Sequence, residues 1–145
     1  MSTDASTHIS APDTSGRVLR MDCSKVEVRA SEYGDGAFAA CDMKEGELVE
    51  YGLARRVDLD GHNNEYVFTW SDDRTVWASC AGAATFYNTS EDPNIKMLRF
   101  FDEDRFECYA LKDIKKGDEL THVYRSKQWR KCFQPLAVPD ATPST

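Results

Sequence analysis

The sequence lacks the cysteine and histidine spacings that bind zinc. Its five cysteines are widely spaced, form no C-x-x-C pair and have no histidine cluster near them. An odd number of scattered cysteines also argues against a disulfide framework. We therefore predict free thiols in a reducing compartment and no metal site. The cysteines are Cys23, Cys41, Cys80, Cys108 and Cys132.

Long apolar segments are missing as well. The longest apolar run, residues 80–87, is far shorter than the roughly 20 residues that a membrane helix needs. The first residues have neither the cationic nor the apolar region of a signal peptide. These absences predict an intracellular protein with no membrane partner.

Basic residues are outnumbered, since the chain has 18 Lys and Arg residues and 25 Asp and Glu residues, for a formal net charge of -7. An acid excess repels phosphates, so we predict no direct nucleic-acid partner. Basic peptides are the partners that this charge favours. The 145 residues, 41% of them hydrophobic, suffice for one domain with a buried core.

The two ends differ from the middle in composition. Residues 1–20 are rich in Ser, Thr, Asp and Ala and bury too little apolar surface to offset their ordering entropy, which predicts a flexible arm. Residues 134–145 contain three prolines and predict a disordered or extended tail. The folded domain is therefore predicted at residues 21–133.

Within that domain, short alternating or β-rich runs recur and helical periodicity is almost absent. Many short strands predict a mostly β fold of small, mainly antiparallel sheets. The best helical candidate is residues 126–132. The predicted strands are residues 26–28, 37–40, 47–51, 65–70, 95–101, 105–110 and 119–124.

One sequence pattern occurs twice. Residues 42–48 and 113–120 both follow the pattern D-(apolar)-K-x-G-(acid), each just before a predicted strand. Glycine supplies a positive φ angle in tight turns, so the pattern predicts two similar turns and indicates no function by itself.

Three segments carry residues that could act in chemistry, and each has a plainer interpretation. Residues 33–39 place two glycines before a strand, which suits either close approach to a ligand or a simple hairpin. Residues 86–94 are polar, and Asn88 could either read an amino group or form an ordinary turn. Residues 121–124 put His122 and Tyr124 on one strand face, as pocket residues or as core residues.

In order and spacing, these segments resemble the SET-domain family of protein-lysine methyltransferases, above all its small, stand-alone viral members. The resemblance spans residues 26–133. The family's G-x-G-x-F-A turn corresponds to residues 34–39, its K-x-G-E-x-(apolar)-x-E strand to 44–50, and its Y-(apolar)-F segment to 66–68. Its N-H-S-x-x-P-N signature corresponds to 88–94, and its D-I-x-x-G-E-E-(apolar)…Y strand to 113–124. The resemblance implies a SET-domain fold with several small, mainly antiparallel sheets, short helical segments and a pseudoknot-like C-terminal region.

The resemblance also implies a site for S-adenosyl-L-methionine. Tyr124 is the implied catalytic residue, which orients the methyl group and the attacking amine. Tyr66 and His122 are the implied substrate-binding residues, Tyr66 as a channel wall and His122 at a position that limits the number of methyl groups. The implied cofactor-binding residues are Gly34, Asp35, Gly36, Ala37, Phe38, Asn88, Thr89 and Trp129.

The implied activity is methyl transfer to a lysine side chain of a basic protein, such as a histone tail in chromatin. In-line transfer needs alignment and desolvation more than acids or bases. This fits a sequence without an obvious catalytic carboxylate pair or nucleophile. We expect the substrate peptide to bind as an extra strand. A nuclear location follows if the source is eukaryotic or viral and histones are the substrate. The sequence is compatible with an oligomer.

Two departures from the family pattern leave alternatives open. Thr89 stands where the family has His, which favours a non-catalytic SET module that acts as a binding protein. His122 replaces the usual Phe, Tyr or aliphatic residue, which favours a SET enzyme with a non-histone substrate. The cysteine-rich, zinc-binding tail of many SET enzymes is also absent, so Trp129 and Phe133 would close the site.

Overall fold

The computed structural model describes residues 19–32 and 34–123. Regular structure in these residues is short strands and three single 3-10 turns, at Gly61–Asn63, Ala84–Phe86 and Phe101–Glu103. Across these two ranges, no helix is long and apolar enough to span a bilayer. The strands are β1 (Val26–Ser31), β2 (Gly34–Ala39), β3 (Leu48–Val57), β4 (Val67–Thr69), β5 (Trp77–Cys80), β6 (Asn88–Thr89), β7 (Ile95–Phe100), β8 (Arg105–Ala110) and β9 (Thr121–His122).

The strands form three small sheets. β1 and β2 make an antiparallel hairpin, and five strands make a second antiparallel sheet in the order β4-β5-β3-β8-β7. β6 and β9 make a parallel pair. The predicted mostly β fold of small, mainly antiparallel sheets is therefore confirmed.

The predicted strands are confirmed, with differences at their ends, and two strands were not predicted. Residues 65–66 form a turn before β4, because the side chain of Asn64 accepts a hydrogen bond from the Tyr66 N–H at 2.9 Å. β5 was missed because its four residues, Trp-Ala-Ser-Cys, show no regular alternation of apolar and polar side chains, and β6 because its sequence is typical of a turn. The predicted helix at 126–132, the tail and nearly all of the arm lie outside the described residues.

The core lies against one face of the five-stranded sheet. β8 shows why, since its residues alternate between half-buried and buried, with Phe106 and Cys108 fully enclosed and Ala110 nearly so. This period of two is the signature of a strand with one buried face. Ile95 of β7 belongs to the same buried cluster, and Trp70, Tyr87 and Leu120 join it from outside the sheet.

The two glycine-closed turns dock against each other. We call residues 42–47 the first turn and residues 113–118 the second turn. Met43 and Ile114 exchange both backbone hydrogen bonds, each at 2.8 Å. Each turn closes on a glycine in the left-handed region, Gly46 with φ of +86° and Gly117 with φ of +93°. The repeated sequence pattern thus builds two matching halves of one contact.

Each turn also supplies an aspartate to the other. Asp42 accepts a hydrogen bond from the N–H of Lys116 at 2.8 Å, and Asp113 accepts one from the N–H of Glu45 at 2.9 Å. The strands before and after the turns pair in the same way. β2, which precedes the first turn, pairs with residues 118–120 at the end of the second turn. β3, which follows the first turn, pairs with β8, which precedes the second turn. The docked turns therefore set where both strand pairs lie.

Replacing either aspartate should weaken this contact. We expect Asp42→Ala and Asp113→Ala each to lower the free energy of unfolding by about 1–2 kcal/mol, because each leaves a backbone N–H without its carboxylate acceptor. Urea unfolding would measure the loss. Asp92→Ala is the control, since Asp92 meets Lys112 at 3.1 Å with its side chain 91% exposed, and should cost less than about 0.5 kcal/mol. Equal losses in all three variants would contradict a special role for the docked turns.

Candidate functional site

The candidate site forms where β2, β6 and β9 meet. β6 and β9 run parallel, with Asn88 opposite Thr121 and Thr89 opposite His122. The N–H of Ser90 donates to the carbonyl of His122 at 3.0 Å and continues the pairing. Because a tight turn cannot join parallel strands, the chain between them runs through β7 and β8 before it returns. This return brings two of the three sequence segments together.

Asn94 fastens the returning chain. Its side-chain amide donates to the carbonyl of Glu119 at 2.8 Å and accepts from the N–H of Thr121 at 2.9 Å. Its backbone N–H donates to the carbonyl of Thr121 at 3.2 Å. Three hydrogen bonds from one residue fix residues 119–121 beside β6.

Gly36 allows β2 to approach this pair closely. Asn88 Nδ2 donates to Glu119 Oε2 at 2.7 Å and lies 3.5 Å from the carbonyl oxygen of Asp35. A Cβ on Gly36 would lie 2.7 Å from Glu119 Oε2 and 3.1 Å from Asn88 Nδ2. The first distance is shorter than real Cβ contacts allow. A side chain at position 36 would therefore displace the Glu119 carboxylate from its place beside Asn88.

Two other residues of the glycine-rich segment, Ala37 and Phe38, contact different parts of the chain. Ala37 is fully buried and its carbonyl accepts from the N–H of Leu120 at 2.7 Å. The guanidinium of Arg29 lies over the ring of Phe38, 4.1 Å from its centroid. Gly34 and Asp35 remain exposed, and Gly34 has open space around it with φ of +100°. The exposed end of β2 thus borders the site, and the carbonyl of Gly34 accepts a hydrogen bond from the hydroxyl of Ser31 at 2.8 Å.

His122 presents a neutral ring to the site. The residue as a whole is half-buried, but its Nε2 is inaccessible to solvent. The ring of Tyr87 lies edge-on to it, with centroids 6.1 Å apart and planes at 71°. Burial, helped by the positive charge of Arg99, lowers the pKa of His122 to about 4. The imidazole is therefore uncharged at neutral pH.

Beneath the site lies a buried carboxyl group, Glu50. The hydroxyl of Tyr87 donates to Glu50 Oε1, and the N–H of Ala83 donates to Oε2 at 2.8 Å. Burial raises the pKa of Glu50, and it raises that of the Tyr87 hydroxyl well above the ordinary value. The short strand β6 begins directly after Tyr87, so this buried pair adjoins the site.

Most of the predicted site residues that the structure describes come together here. β2 contributes five of them, β6 contributes Asn88 and Thr89, and β9 contributes His122. Tyr66 lies in the turn before β4 and is 63% exposed, so its place in a channel wall stays a prediction. Tyr124 and Trp129 lie outside the described residues. The five residues of β2 are Gly34, Asp35, Gly36, Ala37 and Phe38.

The residue-level prediction missed Glu119, Asn94, Tyr87 and Glu50. Glu119, Asn94 and Glu50 stand inside the family motifs, so the motifs themselves were a signal for them. Tyr87 gave no such signal, because nothing in a sequence shows that a hydroxyl and a carboxylate far apart in the chain will be buried together.

The polar groups of the site suit a ligand that carries positive charge. The Glu119 carboxylate accepts one hydrogen bond from Asn88 and keeps capacity for more. The Asp35 carbonyl and the exposed backbone at Gly34 add further polar groups. Among the described residues, no group of three or more His, Cys, Asp or Glu side chains could hold a metal ion. The arrangement can bind and orient ligands, and it provides no described nucleophile with an adjacent base.

Comparison with known proteins gives a family and a set of similar structures. The SET domain model matches residues 34–125. A candidate histone methyltransferase of Plasmodium falciparum is 20% identical with a TM-score of 0.57, over 70% of this chain and 97% of that one. A comparison with curated protein sequences gives no match.

Two structures of a fungal complex are also similar. A humanized mutant of the Chaetomium thermophilum Polycomb Repressive Complex 2, bound to an inhibitor, is 28% identical with a TM-score of 0.59, over 70% of this chain and 15% of that one. A ctPRC2 structure in an autoinhibited conformation bound to S-adenosylmethionine is 25% identical with a TM-score of 0.59, over 72% of this chain and 16% of that one. The likeness thus covers only a small part of those long chains.

A side chain at position 36 should disrupt the site. We expect Gly36→Ala to lower the free energy of unfolding by about 1 kcal/mol, because its methyl group would push the Glu119 carboxylate away from its hydrogen bond with Asn88. The cost should be smaller in a Glu119→Ala background, where that carboxylate is gone. A double-mutant cycle by urea unfolding measures the difference. If Gly36→Ala lowers the free energy of unfolding equally with and without the Glu119 side chain, the close approach of Gly36 to Glu119 does not contribute to stability.

The buried His122 should make stability depend on pH. Its pKa is about 4 in the folded chain against 6.5 for the free group, so the unfolded chain binds the proton first as pH falls. Its contribution is complete above pH 6.5 and decreases toward pH 4, by about 3 kcal/mol in total. We expect unfolding curves at several pH values to show this slope and His122→Phe to flatten it. A variant with the wild-type slope would refute the assignment to His122.

Proposed function

Because the chain belongs to the SET-domain family, as its match over residues 34–125 shows, we propose that it is a protein-lysine N-methyltransferase. Its cofactor would be S-adenosyl-L-methionine, and its substrate a lysine in a basic protein such as a histone. The observation that carries the proposal is the meeting of three separate motifs, at Gly36, at Asn88 and at Thr121–His122.

The residues around Asn88 fit the proposed cofactor. S-adenosylmethionine supplies an electrophilic methyl group on a sulfonium, and it also carries an ammonium group. Asn88, Glu119 and the backbone at Gly34 and Asp35 would hold it, since they combine a carboxylate and carbonyl oxygens with an amide. The binding of S-adenosylmethionine by a structurally similar Polycomb complex supports this choice of cofactor.

The region around His122 suits a lysine that must lose its proton before it attacks. Burial and the nearby Arg99 lower the pKa of His122, and the same environment would lower the pKa of a lysine amine placed beside it. The neutral imidazole adds no charge of its own. The amine would pass its proton to water, and the chain would contribute desolvation and alignment. Tyr124, two residues further, would orient the amine.

Thr89 bears on the alternative, a SET domain that binds the cofactor or a protein without transferring methyl groups. It stands where the family signature has His. However, position 89 takes part in the site through its backbone, which pairs with His122 in the parallel ladder. The pairing of β6 with β9 is thus intact with threonine, so the change from His to Thr leaves this part of the site in place.

We expect the purified protein to bind S-adenosylmethionine and to methylate a histone or another basic protein. We expect Tyr124→Phe to lower kcat at least about 100-fold, because the hydroxyl that aligns the amine is lost. Calorimetry would measure cofactor binding, and mass spectrometry of a panel of basic proteins would identify the methylated lysine. The variant should keep the wild-type unfolding temperature and cofactor affinity.

The results of these assays distinguish a methyltransferase from a non-catalytic binding module. Wild-type protein that binds no cofactor would refute the enzyme. Cofactor binding without methylation of any substrate in the panel would support the non-catalytic module. Methylation that survives Tyr124→Phe unchanged would remove Tyr124 from the mechanism.

A further inference from the structure

Glu50 is the only charged residue that is buried among the residues described, with 1% of its surface exposed. It lies on β3 opposite Cys108 of β8. A buried carboxylate is unfavourable unless hydrogen bonds replace its water. Here each oxygen has a donor, the Tyr87 hydroxyl on Oε1 and the Ala83 N–H on Oε2. The chain therefore keeps a carboxyl group whose burial costs free energy, and both oxygens of that group accept hydrogen bonds.

The loop before β6 is shaped around this carboxylate. Gly82 has φ of +102°, a conformation that residues with a side chain rarely adopt. A Cβ at this position would overlap Glu50 Oε2. Gly82 thus lets the Ala83 N–H reach Glu50, and the contact depends on this local backbone geometry.

Tyr87 connects the carboxylate to the candidate site. Its side chain is fully buried, its hydroxyl is fixed by Glu50, and its ring lies edge-on to His122. The next residue in the chain is Asn88. A phenylalanine ring could fill the same space but would lose the hydrogen bond that fixes its far end.

We propose that Glu50 and Tyr87 are positioning residues for the reaction: the carboxylate fixes the Tyr87 ring, and the ring fixes the His122 imidazole that bounds the space for the acceptor amine. This inference rests on the proposed methyltransferase function. Glu50 and Tyr87 thereby also govern how many methyl groups the amine can receive. The pair acts through His122 and not by contact with the reacting atoms.

A surface pair provides a matched control. The hydroxyl of Tyr109 donates to Glu107 Oε1 at 2.6 Å, with both residues half-buried on the outer face of β8. Tyr109→Phe therefore removes the same hydroxyl–carboxylate hydrogen bond from the same protein, away from His122.

The charge of Glu50 supplies a readout that a purely structural residue would not affect. Burial raises the pKa of Glu50, and the hydrogen bonds from Tyr87 and Ala83 oppose that rise. Without the Tyr87 hydroxyl the carboxyl group is no longer bonded to the ring that it positions, so the acid limb that Glu50 gives to the kcat profile should disappear. The titratable or charged groups that face Glu50 or its neighbours are Tyr87, Cys80, Cys108, Asp22 and Arg99.

The test compares full-length Tyr87→Phe, Tyr109→Phe and wild type. We expect Tyr87→Phe to lower kcat about tenfold, to leave the Kd for S-adenosylmethionine within about twofold, and to change the ratio of mono- to higher methylated product. The acid limb that Glu50 gives to its kcat profile should be lost. In spectra of histidine-labelled protein, assigned with His122→Gln, the His122 ring resonance should shift. Tyr109→Phe should change none of these.

Folded Tyr87→Phe with wild-type kcat, pH profile, product ratio and His122 resonance would overturn the proposal. If that variant does not fold, Glu50→Gln tests the same anchor with the same readouts, because glutamine keeps the volume and one acceptor. If wild-type protein transfers no methyl group, the proposed function fails, while the His122 resonance still decides whether Tyr87 positions that ring.

Discussion

The pairing of the two glycine-closed turns is the constraint on which the rest of the described structure depends. Met43 and Ile114 join the turns through their backbones, and Asp42 and Asp113 strengthen the contact. The second turn leads directly into residues 118–120, which lie along β2. Glu119 thereby reaches Asn88, and the chain continues into β9 beside β6. A contact made entirely outside the site thus determines how the site is assembled.

The polar groups of the site illustrate how a small β domain handles buried charge. Two donors replace water around the Glu50 carboxyl group, and His122 stays neutral because burial and the positive charge of Arg99 disfavour its protonation. The Glu119 carboxylate remains half-buried, next to Asn88. The candidate site thus combines a half-buried carboxylate with a neutral ring, which is the combination that the proposed function needs.

The sequence predicted the fold class, the strand runs and the motifs that meet, because alternation, glycine turns and motif order are local properties. The sequence did not predict which side chains would contact one another. Asn88 could be singled out, but its contact with Glu119 depends on the absence of a side chain at Gly36. Likewise, Tyr87 looked like the end of an apolar run. Its bond to Glu50 arises only when β3 and the loop at Gly82 are packed together.

The parallel pairing of β6 with β9 has a consequence for how the protein folds. Its two strands are separated in the chain by the whole β7–β8 hairpin, and β2 reaches them from further away still. Contacts between distant parts of a chain form slowly, because loop closure must come first. The hairpins can form early, but the candidate site exists only in the completed fold. A ligand that binds at this site would therefore bind fully folded molecules and stabilise them relative to partly folded ones.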